Sequence, residues 1–186
     1  MKGFFLVVFS FICIPFFYLN FSEKKDIQKG NSKTIIRTQK VKEKVLFDKQ
    51  SNQEIDRAEI VSFAKSFLDV PYVYSSQDPK KGFDCSGFVN YIFKNFAIQV
   101  PRVSSGFKNF GKPIPVDSVA LGDILVFTGY RDSTSIGHVG IVCEADGLQS
   151  KFIHASSGKA MKVTISDLHS AHYSKRFYQA IDVINP

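Results

Sequence analysis

A cysteine set between an acid and a serine, with glycines close on either side, is the first candidate for chemistry in this chain: Lys81 to Val89 reads KGFDCSGFV, and the thiol is Cys85. Behind it Phe88, Val89, Ile92, Phe93 and Phe96 recur on one helical face, which makes Asp84 the N-cap and puts Cys85 in the first turn. Unpaired N–H groups and the helix dipole favour negative charge at that place, so a lowered thiol pKa is expected. Asp84 opposes this with its own charge, and a histidine partner is needed. A lone cysteine is otherwise an ordinary small apolar side chain; the helix entrance is what makes this one a candidate nucleophile.

Two of the four histidines, His138 and His154, lie in strand-like segments joined through Ala145-Asp146-Gly147. If those three residues form a hairpin loop with Gly147 left-handed, Glu144 faces Leu148, and counting back pairs His138 directly with His154 on one face. A two-residue turn would send the imidazoles to opposite faces, so the odd-length connection, or a bulge of the same effect, is expected. With the Cys85 helix packed over that face, a thiol, an imidazole base and a second imidazole to orient it would make a Cys-His-His triad. No C-x-x-C or H-x-x-x-H spacing points to a metal site. His169 and His172 sit in a polar segment and read as solvent-facing bystanders. Cys143 alternates onto the face opposite His138 and is expected to be free, apolar and buried away from Cys85 rather than disulfide-bonded to it.

The elements that must position these groups fall into two textures. Asp56, with Glu59 three residues on, starts a helix, and Ile60, Val61, Ala64, Phe67 and Leu68 follow at helical spacing up to Pro71. Beyond Pro101 the apolar segments are short, β-rich and bounded by Gly, Asp or Ser: residues 123–127, 138–143, 151–154 and 176–181. Helices first and strands afterwards predict an α+β fold, with N-terminal helices packed on a mainly antiparallel sheet.

The formal charge of +7 divides unevenly, since residues 23–54 hold nine basic and five acidic side chains. That stretch reads as a flexible basic linker. No basic run interleaves with aromatics, so nucleic acid is excluded as an expected partner. Ahead of it, residues 1–22 hold an uncharged apolar run from Gly3 to Phe21, an export signal or a membrane anchor. The catalytic domain is expected to occupy residues 55–186, as a monomer.

The segments Pro71-Tyr72-Val73-Tyr74, Gly82 to Val89, Pro101-Arg102, Gly122-Asp123, Gly137 to Ile141 and Phe152 to Ala155 together resemble, in order and spacing, the NlpC/P60 family of bacterial cell-wall cysteine peptidases. The resemblance implies a papain-like fold and hydrolysis of peptidoglycan stem peptides, typically between γ-D-glutamyl and the diamino acid. By that likeness Cys85 attacks the amide carbonyl, His138 serves as base and then acid, and His154 orients His138. Tyr72 becomes the oxyanion donor together with the Cys85 N–H, while Asp84 and Ser86 bind the amino end of the stem peptide. No metal or cofactor is implied. The envelope of a bacterium is the implied location, with the membrane reached through the N-terminal segment. Two departures stand out: Ser75-Ser76 where many relatives have Gly-Gly, and Val103 to Phe107 where relatives carry a Gln soon after the Pro-Arg pair. Competing readings are a catalytically silent peptidoglycan-binding module, and a thiol acyltransferase or amidase on the same scaffold. Loss of turnover with retained binding on replacing Cys85 separates an enzyme from a binder.

Overall fold

The structure, a computed structural model, describes residues 55–185; the apolar segment 1–22 and the linker 23–54 lie outside them. Helix α1 spans Arg57–Lys65, capped by Asp56, whose carboxylate accepts the N–H of Ala58. It ends earlier than the apolar spacing implied: Phe67 still packs on the core, but Leu68 is exposed. A two-stranded ribbon follows, β1 Gln77–Asp78 and β2 Gly82–Phe83, and leads into helix α2, Cys85–Asn95. The remaining strands are β3 Lys112–Ile114, β4 Ile124–Thr128, β5 Ile136–Glu144, β6 Lys151–Ala155, β7 Val163–Asp167 and β8 Phe177–Asp182, with the short helix α3, Ala171–Ser174, before β8. They form one antiparallel sheet in the order β3-β8-β4-β5-β6-β7. The α+β expectation is met, and β3 and β7 are additions that the sequence pattern did not mark.

Strand alternation divides the sheet's side chains between two cores. Ile124, Val126, Val139, Ile141, Cys143, Ile153 and Ile181 meet the buried residues of α1 and α2, while Leu125, Phe127, Val142, Phe152 and Ala180 form a second cluster on the other face. Aromatic rings lock the helices to one another. Phe67 meets Phe83 and Tyr91 edge-on at 5.7 and 5.4 Å, and Phe83 lies 5.3 Å from Tyr91.

An ion-pair cluster fastens α1 to two strand ends. Arg57 reaches Asp123 at 2.6 Å and Asp182 at 2.8 Å, and also donates to the carbonyl of Leu121 at 2.9 Å. Asp123 has only 2% of its side chain exposed, and its second oxygen accepts the N–H of Ala120. Removing the guanidinium strands a buried carboxylate. Arg57→Ala is therefore expected to lower unfolding free energy by about 3 kcal/mol, read from urea denaturation of the full chain; a loss below ~1 kcal/mol would mean that water takes over the pairing.

Candidate active site

Asp84 is the N-cap of α2, with its Oδ1 accepting the N–H of Gly87 at 2.6 Å. Cys85 accordingly begins the helix, as the apolar spacing implied. The first turn is pressed against the loop before it. A Cβ on Gly87 would stand 2.2 Å from the carbonyl oxygen of Ser76, and that same carbonyl accepts the N–H of Asp84. Ser75 holds a left-handed φ of 59° in this loop.

A residue given no role from sequence completes the cap. Arg102 grips Asp84 with both arms, Nη1 to Oδ1 at 3.0 Å and Nη2 to Oδ2 at 2.9 Å, and its Nη1 also lies 3.4 Å from Ser86 Oγ. Ser86 in turn donates to Asp84 at 3.2 Å. The Pro101-Arg102 pair was the available signal; only the fold brings it to the helix entrance.

The imidazoles meet on one face, by a route other than the expected one. The β5–β6 connection runs from 145 to 150 and includes a 3-10 turn at Gly147–Gln149, so Glu144 pairs with Lys151 rather than Leu148. Left unbroken, that register would place His154 opposite Ile141, on the wrong face. A bulge at Cys143 resets it, pairing Val142 with Phe152 and Ile141 with Ile153, which sets Gly140 beside His154. His138 is thus a diagonal neighbour of His154, two residues from direct pairing, and the parity survives. Nε2 of His138 lies 2.9 Å from Nδ1 of His154, with the rings perpendicular. Gly140 leaves the room: a Cβ there would lie 2.5 Å from Phe152 and 3.1 Å from the Cβ of His154.

Beyond His154 the polar contacts continue to Ser166 Oγ, 3.0 Å from its Nε2, and to the hydroxyl of Tyr173 at 3.4 Å. Neither was found from sequence. The alternating run Val163 to Ser166 was the missed sign of β7, which delivers Ser166 next to the strand of His154.

The helix does not cover the histidine face. His138 pairs with Phe127 and shares the second core's side of the sheet, whereas α2 packs on the opposite side with Val139. Successive strand residues point to opposite faces, so Cys85 lies on the side of Val139, the neighbour of His138, whose N–H favours the charged form of the thiol. Cys143 is free, as expected, but it joins the same helix-facing core as Cys85. Four residues separate it from Val139 along β5, ~13 Å of strand, beyond the reach of a disulfide. Tyr72 is half-buried, and burial, then the nearby Cys85 and Asp84, push its hydroxyl pKa up. His172 faces solvent, as expected, and accepts from Arg176 at 2.8 Å, stacks on Tyr130 and lines the cavity beside His138. Among the described residues no three His, Cys, Asp or Glu side chains are gathered to hold a metal ion.

A profile of the NlpC/P60 family matches residues 69–182, more than half of the chain. The chain belongs to the NlpC/P60 family. Among curated relatives, the gamma-DL-glutamyl hydrolase of Bacillus subtilis is 34% identical over 119 residues, 63% of this chain and 27% of the relative. The gamma-D-glutamyl-L-lysine dipeptidyl-peptidase of the same organism is 31% identical over 114 residues, 61% of this chain and 37% of the relative. The chain therefore spans about a third of the length of these relatives. Of solved structures, an NlpC/P60 family protein from Bacillus cereus superposes with a TM-score of 0.62 at 25% identity, over 70% of this chain and 41% of that one. The peptidoglycan hydrolase RipB of Mycobacterium tuberculosis does so with a TM-score of 0.54 at 27% identity, over 70% and 66%.

Protonation at this NlpC/P60 site differs from the helix-dipole expectation. Burial, then the charge of Asp84, pushes the Cys85 thiol up, and N–H groups of Ser86, Val139 and Cys85 offset this only in part. Burial, with His154 beside it, holds His138 well below its ordinary value, and burial brings His154 down to about 3. At neutral pH the thiol and both imidazoles therefore rest uncharged. Alkylation of Cys85 by iodoacetamide, followed by peptide mapping, should accelerate steadily as pH rises past 8; a plateau reached below pH 7 would mean a preformed thiolate.

Stability should carry the same signature with a definite sign. The unfolded chain protonates these histidines from about 6.5 downward, whereas folded His154 resists down to about 3, so stability is lost as pH falls through that window. Each histidine contributes up to ~1.4 kcal/mol per pH unit. Urea midpoints measured between pH 7.5 and 5 should fall with acid, and less steeply in His154→Gln; parallel slopes would remove the assignment.

Proposed function

We propose that the domain hydrolyses an amide bond in the stem peptide of peptidoglycan, next to a γ-D-glutamyl residue, with Cys85 as nucleophile. The observation that carries the reading is the 2.9 Å contact between His138 Nε2 and His154 Nδ1, one residue along the strand from Val139, which shares the helix-facing core with Cys85. The similarity to the gamma-DL-glutamyl hydrolase and to the peptidoglycan hydrolase RipB supports the bond type and the substrate class.

In this reading Nε2 of His138 donates to His154, which passes a hydrogen bond on to Ser166 through its own Nε2. The lone pair left on His138 is that of Nδ1. It takes the thiol proton as Sγ adds to the amide carbonyl, and the developing oxyanion is met by the Cys85 N–H and the Tyr72 hydroxyl. The tetrahedral adduct collapses when His138 returns the proton to the departing amine, leaving a thioester. Water, deprotonated by the same imidazole, then adds to the thioester carbonyl and expels the thiol. Because both partners rest neutral, proton transfer accompanies attack. His154 acts as a positioning residue that fixes the tautomer of His138.

Asp84 takes a narrower part than its family likeness alone implied. The forked pairing with Arg102 neutralises its carboxylate, so its lone pairs beyond that fork, with Ser86, are what remain to meet a substrate ammonium. Exported bacterial envelope remains the proposed location, with the N-terminal segment as the targeting device.

The test is mass spectrometry of purified muropeptides incubated with the chain and with Cys85→Ala. Fragments at the γ-D-glutamyl bond are expected from the first, and a loss of at least ~10³-fold from the second with binding retained. His154→Ala should lower kcat by about 10²-fold or more while leaving KM nearly unchanged. Intact muropeptides that still bind the unsubstituted chain would favour a silent binding module instead.

A further inference from the structure

The chain that follows α2 turns back along the helix and brings a cation to its first turn. Asn90, in the second turn of α2, donates to the carbonyl of Val100 at 2.7 Å. Gly106 lies so near Pro101 that a Cβ on it would stand 2.8 Å from the Cβ of the proline. Held at these two residues, the chain presents Arg102 to Asp84. The fork it makes there, 3.0 Å to Oδ1 and 2.9 Å to Oδ2, occupies both oxygens of a carboxylate that already accepts the Gly87 N–H and the Ser86 hydroxyl.

Asp84, Cys85 and Ser86 are all buried, so a charge on one is poorly screened from its neighbours. The Asp84 carboxylate opposes loss of the Cys85 proton, and it opposes ionisation of Tyr72 as well. Among the described residues no other cation lies within ion-pair reach of Asp84. The entrance of the helix thus has one counter-charge, brought from 18 residues along the chain.

We infer that Arg102 is a positioning residue for the nucleophile: by gripping Asp84 with both arms it offsets the carboxylate's charge at the helix entrance and so sets how readily the Cys85 thiol reacts. The inference rests on Cys85 as the nucleophile of the hydrolysis proposed above, and adds the residue that tunes it. The other ionisable groups around the thiol keep one charge state between neutral pH and about 10. Tyr72, from the segment before β1, is held protonated by burial, and Cys143, in the same core, keeps its proton up to about 11. Arg176, ahead of β8, stays cationic, and His138 and His154 stay neutral. A change in the Asp84–Arg102 pair is therefore read against a constant background.

Iodoacetamide labelling of Cys85 in the full chain, followed by peptide mapping from about pH 7 to 10, reads the thiol without any substrate. In Arg102→Gln the midpoint of labelling should rise by about half a pH unit or more. Arg102→Lys returns the charge without the fork and should bring the midpoint back toward that of the unsubstituted chain. Asp84→Asn, which still caps the helix, should move it down. An unmoved midpoint in Arg102→Gln, or a Lys profile that coincides with a shifted Gln profile, would reduce Arg102 to a brace for the loop and overturn the inference. Should Arg102→Gln fail to fold, Asp84→Asn decides alone: a midpoint unchanged or raised there overturns it equally. Turnover of muropeptides by the unsubstituted chain reads the hydrolysis separately. Uncut muropeptides alongside the expected shifts would sink the proposed reaction and spare the role of Arg102; cut muropeptides with unmoved midpoints would do the reverse.

Discussion

Two imidazoles joined ring to ring at 2.9 Å, both buried, impose a demand that much of the sheet answers. Their strands must present them on the same face, one residue between them must have no side chain, and apolar rings must exclude water without filling the space. The Cys143 bulge meets the first requirement, Gly140 the second, and Phe127, Phe152 and Tyr173 the third. Burial in turn keeps the pair uncharged, since an isolated imidazolium there would cost too much desolvation. The chain of contacts ends at Ser166 and Tyr173, so the polar edge of the outer imidazole is not left bare.

The thiol arrives from the other side of the sheet. Asp84 ties the first turn of α2, Arg102 ties Asp84, and the fit of Gly87 against Ser76 fixes how closely the helix entrance approaches. Two adjacent residues of β5 then serve two layers, Val139 turning to the helix and His138 away from it. Cys85 packs with the helix-facing core, whereas His138 is held by its strand partner Phe127 and by His154. The ion pairs of Arg57 fasten α1 to the ends of β4 and β8, away from the histidine contacts, and so steady the helix layer as a whole.

Local signals were well read from the sequence because they depend on neighbours in the chain. The Asp84 cap, the apolar face behind Cys85, and the strand character around His138 and His154 are of this kind, and so is the α+β order. What the sequence could not convey depends on partners far along the chain. The Asp84–Arg102 fork spans 18 residues with no periodic trace, and Ser166 is a partner for His154 only because β7 lies beside β6. The hairpin shows how a right parity can come from a wrong path: a short turn and a longer connection with a bulge give the same face, and residue counting alone does not separate them. The thiol was misjudged because a helix entrance lowers its pKa only if the sulfur remains in contact with water, and here it is buried beside a carboxylate.

The Cys143 bulge also divides the β5–β6 hairpin into a part that sets geometry and a part that does not. Since the two imidazoles are aligned by the ladder below Cys143, residues 145–150 are a place where chain length can drift without disturbing them. An insertion of one residue in the loop is absorbed above the bulge; the same insertion between Gly140 and Val142 would turn one histidine to the other side of the sheet. For a protein engineer this makes the loop a natural seam for inserting a peptide tag or a second domain, and for a lineage of related enzymes it is where indels can accumulate while the chemistry stays in step.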